Sequence, residues 1–142
     1  EYRAPELSSA LLYSQLLKVK KIQNVRKKNW IIFKKLIDKL NTQKCYLLKS
    51  NKDSTSAYHI LALIFKTTIL ANDFKKKFQN NGIAATFHYV PLHKSRMGKQ
   101  FCKYKLPLTE NIYNRVVRLP LYSDMTKQEI NKISLLIKNF LI

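Results

Sequence analysis

The run Ala57-Tyr58-His59-Ile60-Leu61-Ala62-Leu63-Ile64-Phe65-Lys66, together with the stretch from Thr67 to Tyr89, decides the fold. It is dense in aromatic, β-branched and other apolar residues and has the length of a central strand. From Thr68 the period changes: Leu70, Phe74 and Phe78 recur at steps of four, and Asn80-Asn81-Gly82 supplies a C-terminal stop. Ile83 to Tyr89 then reads as another strand. It must stop pairing at Pro91, which has no N–H to donate and biases Val90 toward extended geometry. Alternation sends Phe87 and Tyr89 to one face and His88 to the other. A strand, a helix and a strand with tight connections indicate a layered α/β or α+β domain.

Working outward, Pro5 and Glu6 suit the first turn of a helix. Leu7, Leu11, Leu16, Val19, Ile22, Trp30, Phe33, Ile37 and Leu40 continue at helical spacing, as one long helix or two joined with a bend. An apolar stripe of that length needs a partner surface. Cys45 to Leu48 is a short possible strand, and Asn51 to Ser56 is a polar loop. Leu92 to Lys105 reads as a basic loop with one helical turn around Met97. Its single glycine, Gly98, is too little for a phosphate-cradling loop. Thr109 is placed to N-cap a short helix burying Ile112 and Val116, and Val117 to Leu121 can form a brief strand. Thr126-Lys127-Gln128-Glu129 is a capping box, and Ile130, Ile133, Ile137 and Phe140 mark a final amphipathic helix.

The 142 residues, 46% hydrophobic, suit one domain with a real core. The longest apolar runs, such as His59 to Phe65, fall far short of a membrane span, and no signal-peptide pattern begins at Glu1, so a soluble, cytoplasmic protein without a membrane partner is expected. Cys45 and Cys102 lack the close pairing of metal sites or secreted disulfide frameworks, and reduced thiols are expected. The net charge of +19 would ordinarily point to nucleic acid, and a basic nucleic-acid-binding module is the rival reading. Lysine, however, is spread through residues 18–49, 66–77 and 94–105 rather than gathered on one helix, which weighs against it.

There is no Gly-flanked nucleophilic serine, no Walker loop and no histidine pair at metal spacing. The few acidic residues fall mostly on helix starts or loops, where capping explains them, so a self-sufficient acid/base enzyme is not expected and no catalytic residue is assigned. His88 reads as structural on its strand face. His93, beyond the proline in a basic loop, is free to point into a cleft and is the candidate ligand contact, with Tyr89 second. Tyr58 reads as core packing, and Arg118 as a solvated strand residue.

Four segments form a joint pattern: Phe87-His88-Tyr89-Val90-Pro91-Leu92-His93, Leu106-Pro107-Leu108-Thr109-Glu110, Arg115-Val116-Val117-Arg118-Leu119-Pro120-Leu121 and Met125-Thr126. In that order and spacing, with Tyr2-Arg3-Ala4-Pro5-Glu6-Leu7 ahead and Ser56-Ala57-Tyr58 between, they resemble the C-terminal region of the DegT/StrS-type nucleotide-sugar aminotransferases. The resemblance implies an α/β fold of the α+β small-domain kind: a long N-terminal helix and a small, mostly antiparallel sheet of three or four strands flanked by helices, as in the C-terminal domain of fold-type I pyridoxal-phosphate enzymes. Residues 1–42 would be the interdomain linking helix and 43–142 the small domain, the large cofactor-binding domain being absent. It also implies pyridoxal phosphate as cofactor, with its Schiff-base lysine outside this chain, glutamate as amino donor, a 4-keto-6-deoxy sugar nucleotide as acceptor and a homodimer when complete. The substrate-binding residues it implies here are His93, Tyr89 and Arg3, with no cofactor-binding or metal-binding residue. Glu1 stands where many members have asparagine facing the partner's cofactor phosphate, a departure that like charge makes unfavourable. The chain is expected to be a fragment or truncated product, inactive alone.

Overall fold

A computed structural model describes residues 3–51, 53–87, 89–101 and 104–142, so expectations resting on Glu1, Tyr2, His88 and Cys102 lie outside the described residues. The N-terminal stripe forms two helices, α1 (Glu6–Leu16) and α2 (Val19–Leu40), with the bend that its pattern allowed. α1 buries none of its residues, whereas α2 buries Asn29, Phe33 and Ile37. Asn41 ends α2 in the left-handed region at φ 42°, where a short polar side chain is tolerated better than most.

Three strands, β1 (Cys45–Leu47), β2 (Leu61–Phe65) and β3 (Val116–Leu119), form an antiparallel sheet in the order β1-β2-β3. Cys45 lies opposite Phe65, and Leu63 lies between Leu47 and Val117, so all of these point to one face. That face meets α2, α3 (Thr68–Asn80) and α6 (Lys127–Leu141). Phe74 and Phe78 of α3 stack at 4.2 Å, and Phe140 of α6 meets Phe74 edge-on at 5.1 Å. Phe33, Phe65, Phe74 and Phe78 are fully buried, each worth roughly 1.5–3 kcal/mol of transfer free energy.

Polar contacts lock this layer. Asn29 donates from Nδ2 to the Tyr122 carbonyl at 3.3 Å, tying α2 to the segment before α6. Lys44 and Lys77 donate to the Phe140 and Asn139 carbonyls at 2.9 and 3.1 Å, placing cations at the negative end of the α6 dipole. These two lysines therefore do more than solvate a surface. The capping box at the other end is present: Thr126 Oγ1 accepts from the Glu129 N–H at 3.2 Å, and Glu129 Oε2 accepts from the Thr126 N–H at 2.7 Å.

Several local expectations are corrected. Strand β2 begins at Leu61 rather than Ala57, because Tyr58 sits at φ 48°, a left-handed conformation that cannot pair in a strand. Tyr58 instead presents its ring to Trp30 at 5.6 Å. Among the described residues the strand expected at Ile83 to Tyr89 reduces to one bridge, Thr86 with Arg118, whose two backbone bonds measure 3.1 and 2.7 Å. Its inward residues, Ile83 and Ala85, are buried, but Phe87 packs against Tyr113 instead of extending the ladder. Thr109 is not an N-cap. The cap of α5 (Pro107–Tyr113) lies three residues earlier, at Leu106, with Pro107 at the first helical position, where a missing N–H costs nothing. Val116 belongs to β3, not to a helix, and β3 ends before Pro120.

Candidate functional site

The second face of the sheet carries Ala62 and Ile64 of β2 and Val116 of β3. Among the described residues no long helix covers it. The described residues 89–101 and 104–113 form a strap over it, and between strap and sheet lies a groove of about 510 Å³. Tyr89, Val90, Pro91 and Leu92 form one wall, and Ile112 and Tyr113 of α5 contribute the other. Polar atoms are few, with Thr109 and the two tyrosines the main sources. An apolar cleft with sparse hydroxyls suits a ligand that buries a flat or aliphatic part and presents a few hydroxyls or carbonyls. A hollow of about 550 Å³ also runs along the outer edge of β1, from Ile37 to Lys49, but none of the residues singled out from the sequence as ligand contacts borders it.

The strap's shape is set by a short locked turn. Leu92–Lys94 make one 3-10 turn, in which the Lys94 N–H donates to Pro91 at 2.8 Å. Ser95 Oγ donates to the Leu92 carbonyl at 2.7 Å and accepts from the Gly98 N–H at 2.9 Å, leading into α4 (Gly98–Phe101). A Cβ on Gly98 would lie 1.7 Å from the Leu92 carbonyl oxygen, so no other residue fits there without moving the turn. Its lack of a side chain serves this close approach.

The structure brings the sequence candidates together only in part. Tyr89 is 70% exposed on the groove wall. His93 does not point into the cleft: its side chain is 8% exposed, and Nε2 lies 3.2 Å from Glu110 Oε1. Lys94 Nζ approaches the other carboxylate oxygen at 2.6 Å. These two partners, Lys94 foremost, hold the Glu110 carboxyl below its usual range. Arg3 is exposed ahead of α1 and does not line the groove. In the sequence Glu110 is one more acid at a helix start. The only signal there is its position downstream of His93 and Lys94, which spacing alone does not reveal as a contact.

Arg115 also has a local task. Its Nη1 donates to the Phe65 and Lys66 carbonyls at 3.2 and 3.3 Å, fastening the end of α5 to the end of β2. Cys45 is buried against the core, and burial pushes its thiol up to about 11, away from nucleophilic chemistry. Among the described residues no three His, Cys, Asp or Glu side chains cluster as a metal would require, and no helix is long and apolar enough to cross a membrane.

An antiparallel three-stranded sheet with helices packed on one face is an α/β arrangement shared with solved aminotransferases. The chain belongs to the DegT/DnrJ/EryC1/StrS aminotransferase family, which it matches over residues 1–138. Its fold is similar to that of Helicobacter pylori PseC, an aminotransferase involved in the biosynthesis of pseudoaminic acid, with a TM-score of 0.84 and 19% identity over 98% of this chain and 38% of that one. DesV of S. venezuelae, solved in complex with a ketimine intermediate, gives a TM-score of 0.85 and 17% identity, with 98% and 37% covered. An aminotransferase from Brucella abortus gives 0.77 and 18%, with 93% and 34% covered. The chain thus spans well under half the length of these structures. Among curated proteins none matches it.

Family members of this kind use pyridoxal phosphate. The groove does not fit that cofactor: among the described residues its lining offers no lysine for a Schiff base, no carboxylate for a pyridine nitrogen and no cation for a phosphate. No step involving the cofactor can be assigned to these residues.

Proposed function

We propose that this chain is the C-terminal portion of a pyridoxal-phosphate-dependent aminotransferase that moves the amino group of glutamate to a 4-keto-6-deoxy sugar nucleotide. Residues 1–42 link domains, and residues 43–142 form the small domain. The observation that carries the reading is the family match over residues 1–138 together with an apolar groove walled by Tyr89–Leu92, the segment whose motif resembles the family's sugar-nucleotide pocket. Within the family, the motifs are similar to those of dTDP-4-amino-4,6-dideoxygalactose transaminase, an enzyme of polysaccharide synthesis, and that activity is the one proposed for the complete enzyme.

On this reading the groove supplies part of the substrate pocket. Tyr89 offers a ring and a hydroxyl to the sugar nucleotide, while His93 shapes the wall behind it. Arg3 serves the substrate from the segment ahead of the linking helix, and the complete enzyme works in the cytoplasm as a homodimer. The chain alone is not expected to transaminate, because the family resemblance puts the Schiff-base lysine outside the segment that these motifs cover. Incubating it with pyridoxal phosphate, glutamate and a dTDP-4-keto-6-deoxy sugar should give no amino sugar and no lysine-linked cofactor absorbance. Turnover by the isolated chain would sink the reading.

A further inference from the structure

We propose that Glu110 is a positioning residue that staples the turn at Pro91–Lys94 to α5 and fixes His93 with its proton on Nε2. This rests on the reading of the groove as half of a substrate pocket only in its consequence for ligand affinity. The geometry of the staple stands independently.

The carboxylate is bidentate across two adjacent side chains. Oε1 faces His93 Nε2 at 3.2 Å, and Oε2 faces Lys94 Nζ at 2.6 Å. An ionised carboxylate only accepts, so the imidazole nitrogen facing it must carry the hydrogen, and the lone pair of the neutral ring is left on Nδ1. Glu110 is kept ionised by the same two partners, Lys94 first and His93 second. His93 is 8% exposed at its side chain, so a wrong tautomer would set a lone pair against a carboxylate with little water to intervene. The bond spans 17 residues of sequence and joins two elements that share the groove: the turn continues from the wall at Tyr89–Leu92, and α5 supplies Ile112 and Tyr113 opposite. Glu110 therefore sets the separation of the two walls. Ser95 and Gly98 shape the turn internally, but neither reaches α5 through the bonds that shape it.

The test is a long-range proton–nitrogen spectrum of the 15N-labelled chain at pH 8, read at the His93 ring. The expected result is a protonated-type Nε2 and an unprotonated-type Nδ1. A ring with Nδ1 protonated, or with the averaged shifts of a free imidazole, would overturn the proposal from the unmutated chain alone. Glu110→Gln, whose amide oxygen can still accept, should keep that pattern, and Glu110→Ala should average it. Unchanged ring shifts in a folded Glu110→Ala chain would also overturn it. With dTDP-glucose as the probe, Glu110→Ala should weaken binding about tenfold, as expected for a lost hydrogen bond to a charged group. Glu110→Gln should recover most of that loss. If the unmutated chain gives the Nε2–H pattern yet does not bind dTDP-glucose, the staple stands and the substrate reading of the groove falls.

Discussion

The two faces of the sheet are made from the same strands and do opposite work. One is sealed by α2, α3 and α6 and holds the fully buried phenylalanines. The other is crossed by a strap whose Leu92, Phe101, Tyr104 and Leu108 remain more than 70% exposed. Area removed from water is concentrated on the first face, so stability is too. On the second face Ala62 and Ile64 are buried beneath the strap, but the strap itself leaves apolar side chains in water. Local opening should obey the same division, with the strap exchanging its amide hydrogens far sooner than the helical layer.

That contrast can be broken from either side. The largest effect is expected for Phe74→Ala, which removes a ring in contact with three others and should cost about 3–5 kcal/mol in urea denaturation. Gly98→Ala strikes the other face. It forces the Leu92 carbonyl aside at a cost of about 1–3 kcal/mol, typical of overpacking, and hydrogen exchange should quicken in residues 89–101 while the helical layer stays protected. Thr126→Ala unlocks the cap of α6 and should lower stability by about 1 kcal/mol, read as a lower denaturant midpoint at constant slope.

A pH titration separates the faces more gently. Glu110, on the strap, and Glu129, at the cap, both have folded-state values below the ordinary carboxylate range, Glu110 through Lys94 and His93 and Glu129 through the Thr126 N–H. A lowered value means that the folded state binds its proton more weakly than the unfolded chain does. Their contribution is thus complete above the ordinary carboxylate range and lost as pH falls through the lowered values. Both are open to water, so the loss should be small, and Glu110→Gln should remove the strap's share from an acid titration monitored by carboxyl 13C shifts. The smallest effect belongs to α1, where Leu11 is 62% exposed. Leu11→Glu should change the stability of this chain by less than about 0.5 kcal/mol, measured by the same denaturation.

The legibility of the sequence divides along the same line. α3 and α6 stand out because their apolar spacing and stop or start signals are local, and their packed faces agree with that spacing. The segment at residues 83–89 alternates like a strand, yet a strand needs a partner along its length. Thr86 pairs with Arg118 in an isolated bridge, while Phe87 is drawn to Tyr113. The motif around Pro91 supplies residues that line the groove, while His93 turns to Glu110, a partner on another helix that local spacing does not reveal. Gly98 lacks the companions of a phosphate loop, although its own missing Cβ is what the turn requires. Pairings between distant residues leave no period to read.

The chain has one tryptophan, and Trp30 stands edge-on to Tyr58 at 5.6 Å, joining the middle of α2 to the loop that leads into β2. At that separation light absorbed by the phenol passes to the indole. Emission from this one ring therefore reports whether the long helix is seated on the sheet, without any label. A stopped-flow trace of that emission would time the docking of α2 during refolding.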